Sequence, residues 1–204
     1  MMVPVIEMKE KKKDPISSVR TKCIQLDASG KGLVKIKDEK VLIENLLPGE
    51  EVELEYTRGR GIKVVSAVRL TDSPLRVKPR CRVFDRCGGC QLQAMSYESQ
   101  LKFKENKVYN NLRRIGGFTD IPFLPIMGMD EPWRYRNKAQ FPFGRNKNGE
   151  IVTGFYAGRT HDIIPQEDCL LGVEENKKIL ESIKEYMIEN HVAPYEEETH
   201  QGLI

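Results

Sequence analysis

The chain has 204 residues, 39% of them hydrophobic and 31% charged, with a formal net charge of +3. That length holds one large domain or two small ones, and no apolar run approaches the ~20 residues that cross a bilayer. The N-terminus has no apolar stretch ending in a small-residue cleavage site, which argues against secretion. The net charge hides an asymmetry. Residues 1–160 hold 30 Lys/Arg against 19 Asp/Glu, a net of +11, and residues 161–204 hold 3 against 11, a net of −8. A basic body with an acidic end segment points to a polyanion partner for the body.

Residues 1–17 are polar, basic and without periodicity, and read as a mobile basic arm. From residue 18 to 72 the pattern is β. Val19–Leu26 nearly alternates, Ser29-Gly30-Lys31-Gly32 is a turn, and Leu33–Lys37 and Val41–Ile43 are strands. Leu47-Pro48-Gly49-Glu50 turns into Val52–Tyr56, and Arg58-Gly59-Arg60-Gly61 turns into Ile62–Val68. Five short strands at this spacing predict a closed barrel of the oligonucleotide-binding type. Residues 73–204 read as a second domain, of small α/β type. Ser96-Tyr97-Glu98 offers a helix cap with an acid in the first turn. Tyr97, Leu101, Val108, Leu112 and Ile115 form one stripe of a helix over about 96–115, which Gly116-Gly117 ends. Strand and turn character returns over 121–165, with the runs Ala139–Phe143 and Ile151–Tyr156. A second helix is predicted over about Val173–Asn190, with Val173, Leu180, Ile183 and Met187 on one face. The chain stops on Leu203-Ile204, which reads as a strand just begun and predicts a longer protein.

Five cysteines are present: Cys23, Cys81, Cys87, Cys90 and Cys169. With no secretion signal the compartment is expected to be reducing, so the clustered thiols read as metal ligands before disulfides. Cys87-Gly88-Gly89-Cys90 is a tight turn whose glycines permit φ > 0 and let amide N–H groups point at sulfur. Four thiolates suit either a tetrahedral zinc ion or an iron–sulfur cluster. The wide Cys81–Cys87 spacing and the remote Cys169 suit a cluster better than a pair of zinc knuckles. Unliganded core thiols are the remaining alternative. Cys23 lies in a strand pattern and reads as a core residue.

The stretch Cys81-Arg82-Val83-Phe84-Asp85-Arg86-Cys87-Gly88-Gly89-Cys90-Gln91-Leu92-Gln93 resembles the signature of RNA (uracil-5-)-methyltransferases with an iron–sulfur cluster. Tyr97, Gln100-Leu101-Lys102 and Lys104 continue it, as do Leu47-Pro48-Gly49-Glu50 upstream and Tyr135-Arg136-Asn137-Lys138 downstream. Gly154-Phe155-Tyr156 followed by Cys169 matches the approach to a fourth ligand. The resemblance spans about residues 18–204. It implies a multi-domain β plus α+β chain: a five-stranded TRAM barrel over 18–72, then a central domain over 73–204. It implies a 4Fe-4S cluster on Cys81, Cys87, Cys90 and Cys169. It also implies a third domain that binds S-adenosyl-L-methionine and carries the nucleophilic cysteine and base. No glycine-rich nucleotide loop is found here, since Gly30-Lys31-Gly32 is a two-glycine hairpin turn. No catalytic residue is therefore assigned within the chain. The helix at 96–115 would pack on the catalytic domain, and without it the stripe predicts self-association.

RNA recognition is the activity that the basic residues themselves suggest, and structured ribosomal or transfer RNA is the expected partner. Lys31 sits at a hairpin tip, and Arg58, Arg60 and Lys63 flank a glycine turn. Arg134, Arg136 and Lys138 alternate with an aromatic, followed by Gln140 and Phe141. The acidic second helix is expected to face away from RNA. The expected location is the cytoplasm, with no membrane. A stand-alone zinc-ribbon RNA-binding module and a small electron-transfer protein are the competing readings. The second of these leaves the basic barrel unexplained.

Overall fold

Alternating apolar residues decide which face of each N-terminal strand is buried. A computed structural model describes residues 14–166 and 168–203. The chain divides into two compact units, Met1–Pro74 and Leu75–Ile204. Residues 1–13, most of the expected arm, lie outside the described residues, and the first strand, β1 (Ile16–Lys22), already begins at Ile16.

The first unit continues with β2 (Gln25–Leu26), β3 (Gly32–Ile36), β4 (Glu39–Ile43), β5 (Glu51–Arg58) and β6 (Ile62–Arg69). They form two antiparallel three-stranded sheets, ordered β1-β5-β6 and β2-β3-β4. Val34 and Ile36 of β3 face the same core as Val52, Leu54 and Tyr56 of β5, together with Cys23, Ile43 and Leu46. β1 also packs against β3, where the Thr21 hydroxyl donates to the Lys35 carbonyl at 3.0 Å.

Six strands in two sheets thus stand where the sequence predicts one five-stranded barrel. The difference arises at Cys23 and Ile24, inside what reads as a single strand. Cys23 N–H donates to the Glu50 carbonyl at 2.9 Å and Ile24 N–H to the Leu33 carbonyl at 2.8 Å. Between these two residues the chain leaves β5 and joins β3. The buried Cys23 thiol lies against Gly32, where an added Cβ would stand 2.4 Å from the Leu46 carbonyl oxygen. Gly32 is therefore required by close approach.

The Leu47–Glu50 turn has its own internal lock. Gly49 takes φ +89°, a conformation that costs glycine little. Glu50 is fully buried and accepts hydrogen bonds from Leu47 N–H at 2.8 Å and Ser73 N–H at 3.1 Å. The carboxylate joins this turn to the end of the first unit.

The second unit has an antiparallel meander of β7 (Phe143–Arg145), β8 (Ile151–Tyr156) and β9 (Ile163–Pro165). The helix α1 spans Tyr97–Arg114, and Ser96 Oγ caps it by accepting from Ser99 N–H at 3.3 Å. Gly117, at φ +71°, follows its end. No residue of α1 is buried, and Val108 and Ile115 are exposed. The helix α2 spans Glu175–Glu189 and packs on β8 through its buried Leu180 and Met187. The run Ala139–Phe143 contributes only Phe143 to a strand, because Pro142 lacks the N–H that a ladder needs.

Candidate functional site

The cysteine segment is pinned at its base before any cysteine is reached. Val77 N–H donates to the Ala94 carbonyl and Ser96 N–H to the Leu75 carbonyl, each at 2.9 Å. The chain between them forms a closed loop over the buried Phe84, Ala94 and Met95. Tight turns follow, with Phe84 N–H donating to the Cys81 carbonyl and Cys87 N–H to the Val83 carbonyl. The loop then docks on the end of β8: Gly88 N–H donates to the Tyr156 carbonyl at 2.9 Å, and Cys87 bridges Ala157.

Gly88 and Gly89 are absent from the residues at positive φ, contrary to the sequence-based expectation. Space is the reason for Gly88, where an added Cβ would lie 3.0 Å from the Tyr156 carbonyl oxygen and 3.1 Å from Gly158 N. The expectation of an amide aimed at sulfur holds at Gly89, whose N–H donates to Cys87 Sγ at 3.4 Å.

Cys169 arrives from the connection between β9 and α2. Arg134 receives it. One Arg134 guanidinium nitrogen donates to the carbonyls of Cys169 at 3.1 Å and Gly172 at 3.2 Å. The same group grips Asp168 through both oxygens at 2.6 and 2.7 Å. Backbone bonds reinforce the grip, from Arg134 N–H to the Leu170 carbonyl and from Arg136 N–H to the Leu171 carbonyl. Arg134 itself sits at φ +56°, which a non-glycine residue keeps only when its surroundings hold it there. The Arg134 hydrogen bond keeps the Asp168 carboxyl below its ordinary range. Arg134→Met is expected to destabilise the second unit by about 2 kcal/mol, since charge-assisted hydrogen bonds are removed. A thermal melt checks this, and faster hydrogen exchange at Gly172 N–H, which bonds the Cys169 carbonyl, localises it.

Cys81, Cys87, Cys90 and Cys169 line one small cavity, together with Phe84, Phe155 and Arg136. Side-chain amides reach two of the sulfurs. Gln166 Nε2 donates to Cys81 Sγ at 3.6 Å and Gln93 Nε2 to Cys90 Sγ at 3.7 Å. Gln93 Oε1 accepts Cys81 N–H at 2.8 Å, so one side chain spans two cysteines. Burial, then the thiols of Cys169, Cys87 and Cys81, push the Cys90 thiol up to about 11, with Arg136 opposing. Burial raises Cys87 as well, against the Gly89 N–H that favours its thiolate. Thiols crowded in this way stay protonated until a positive centre takes the protons' place. N–H donors around three sulfurs suit a thiolate-bound group. Among the described residues no group of three or more His, Cys, Asp or Glu is placed to hold a metal ion. Cys23 lies apart in the first unit's core, its thiol raised to about 11 by burial and by Glu50.

The other sequence-predicted residues are placed as follows. Lys31 pairs with Glu44 at 3.0 Å and Arg58 with Glu39 at 2.9 Å. Arg60, Lys63, Lys138 and Gln140 lie toward solvent. Arg136 borders the cysteine cavity, and Phe141 packs on Phe155 with ring centroids 4.7 Å apart. Arg134 works within the chain, where the sequence suggested a contact to RNA. Sequence reasoning missed Gln93 and Gln166. Gln93 closes the stretch that carries the resemblance, three positions after Cys90, whereas Gln166 had only its place three positions before Cys169 as a signal.

No family model matches the chain. A protein of Bacillus cereus (strain ATCC 10987), named an uncharacterized RNA methyltransferase, is 40% identical over 186 residues, covering 88% of this chain and 39% of its own length. A protein of the same description from Clostridium tetani is 38% identical over 184 residues, covering 87% and 38%. One from Staphylococcus aureus (strain COL) is 36% identical over 183 residues, covering 89% and 40%. The chain is thus similar, over most of its length, to proteins described as RNA methyltransferases, and spans about two fifths of theirs. The crystal structure of Pyrococcus abyssi tRNA (uracil-54, C5)-methyltransferase in complex with S-adenosyl-L-homocysteine shares the fold. It matches with a TM-score of 0.64 and 24% identity over 90% of this chain and 40% of that one. Among the described residues no helix is long and apolar enough to cross a membrane.

Proposed function

We propose that the chain is the RNA-recognition and iron–sulfur part of an S-adenosyl-L-methionine-dependent methyltransferase acting on carbon 5 of uridine in ribosomal or transfer RNA. The meeting of Cys81, Cys87 and Cys90 with the remote Cys169 at one cavity, in a chain similar to RNA methyltransferases, carries this reading. On this reading the first unit, with its two three-stranded sheets, would be the TRAM domain and the second the cluster domain. The 4Fe-4S cluster would be held by Cys81, Cys87, Cys90 and Cys169. When bound it supplies a cross-link between the loop docked on β8 and the segment before α2, and no redox step is needed. The donors on three sulfurs support that ligand set. Methyl transfer itself belongs to a domain outside this chain. The S-adenosyl-L-homocysteine in the Pyrococcus structure supports the choice of methyl donor. The exposed Val108 and Ile115 of α1 support self-association of the chain through that helix. The cytoplasm suits a protein with thiol ligands and an RNA substrate.

RNA contact falls to cations with no ion-pair partner among the described residues, above all Arg60, Lys63 and Lys138, together with Gln140 and Arg136. Lys31 and Arg58 would first exchange a surface ion pair for phosphate, a change of small cost. Binding of a structured RNA hairpin, followed by fluorescence anisotropy, is expected to weaken steeply with salt. Arg60→Ala with Lys63→Ala should lower the slope of log affinity against log salt by about 2, one for each phosphate that no longer meets a cation. A slope unchanged by the double variant would move the RNA interface elsewhere.

A further inference from the structure

A second cavity, of about 620 Å³, adjoins the cysteine site through Gly89 and Cys90. Its volume falls in the range of small-ligand pockets. Three aromatic side chains line it: Tyr97 from the start of α1, and Trp133 and Tyr135 from the irregular segment before the meander. Four cations also line it, Lys78, Arg80, Lys104 and Arg136, and among the described residues no acidic side chain does. The Arg80 guanidinium lies over the Trp133 ring, 4.7 Å from its centroid. Its ion pair with Glu131, at 3.8 Å, is exposed. The Tyr97 hydroxyl accepts Met129 N–H at 2.8 Å, which fixes that ring against the wall of the pocket. Gln91 and Gln100 also border the cavity. Their amide nitrogens are engaged by the carbonyls of Gly88 and Met95, which turns each side-chain oxygen into an available acceptor.

Each component has a counterpart in one class of ligand. A splayed nucleobase stacks on aromatic rings and on guanidinium planes, its exocyclic amino groups meet amide oxygens, and its phosphate meets lysine and arginine. A purely apolar partner would leave four cations desolvated. An acidic peptide would use the cations and leave the aromatic wall unexplained. We infer that this pocket holds one unpaired RNA base, distinct from the base that is methylated, with its phosphate on Lys78 and Lys104. The inference rests on the reading of the chain as RNA-binding and adds a named subsite to it. Such a subsite would select loops over duplexes, because a paired base cannot leave its stack without cost.

Trp133 is the chain's single tryptophan, so its emission reports on this pocket alone. The 204-residue chain is titrated with a labelled single-stranded RNA octanucleotide, with the same sequence as a blunt duplex, and with S-adenosyl-L-methionine alone. Label anisotropy follows binding anywhere on the chain, and Trp133 emission follows the pocket. The expected result is quenching by the single strand with the same midpoint as the anisotropy change, and much weaker quenching by the duplex. Tyr135→Ala, at a half-exposed position, should weaken single-strand binding about tenfold, the effect of removing one stacking partner. RNA binding seen by anisotropy without a Trp133 response overturns the subsite and leaves the proposed function standing. Equal quenching by duplex and single strand does the same. Quenching by S-adenosyl-L-methionine alone makes the pocket a small-molecule site and overturns the inference. No RNA binding at low salt overturns both.

Discussion

On the proposed ligand set the parent chain, purified without oxygen, is expected to be brown with about four irons and four sulfides bound, and the Cys169→Ala chain colourless. Cys169 is the informative position because it is the remote member of the proposed ligand set. Cys81, Cys87 and Cys90 share one loop, whereas Cys169 comes from the segment between β9 and α2. Cys87→Ser is expected to lose the colour too, because it removes the sulfur that Gly89 N–H addresses. Cys23→Ala is the internal control. Its thiol is 3% exposed in the first unit's core, so the variant should stay brown and lose only packing. Visible absorption and iron and sulfide analysis read all three. A colourless parent chain with one zinc would sink the cluster, and a brown Cys169→Ala chain would remove Cys169 from the ligand set.

Glu50→Ala is expected to destabilise the first unit by about 3 kcal/mol, measured as a shift in its urea-unfolding midpoint. The side chain is fully buried and accepts two backbone N–H groups, from Leu47 and Ser73. Alanine leaves both donors inside the protein without acceptors and opens a cavity beside them. Glu50→Gln separates the two causes. It keeps the volume but replaces one acceptor with an amide donor facing a backbone donor. A loss of about 1–3 kcal/mol for Gln assigns the effect to hydrogen bonding. A neutral Gln variant would assign it to packing. Leu47-Pro48-Gly49-Glu50 thus has a physical reason to occur as a unit: the turn places a carboxylate under its own amides.

Local features were legible in the sequence where local physics decides them. Ser96-Tyr97-Glu98 and Gly116-Gly117 bracket α1 because capping and a left-handed exit act within one turn. The alternation in Val52-Glu53-Leu54-Glu55-Tyr56 matches the burial of β5 residue by residue. The break at Cys23 leaves one local trace, the adjacent apolar Cys23 and Ile24 that shift the alternation by a residue, but the change of partner itself is made by Glu50 and Leu33, far along the chain. The role of Arg134 was hidden for a similar reason. Arg134-Tyr135-Arg136 reads as alternating solvent-facing charge, and nothing nearby announces Asp168. The cysteine spacing marked three residues as a group. Cys169 entered as a remote fourth thiol, the resemblance matched it to the fourth ligand, and the fold brings it to the same cavity. Gly88 was chosen for the right segment and the wrong property, since crowding against Tyr156 and Gly158, rather than φ, excludes a side chain there.

The docking of the cysteine loop on β8 has a consequence for the order in which the molecule matures. Cys87 meets Ala157 at the end of β8, and Arg134 holds the Cys169 segment beyond β9. Both events close long loops, which are slow steps in folding. Convergence of the four thiols is therefore expected late in folding, once those loops have closed. A nascent or misfolded chain presents three thiols on one loop and lacks the fourth. On the proposed ligand set, retention of a cluster would report that the second unit has completed its fold.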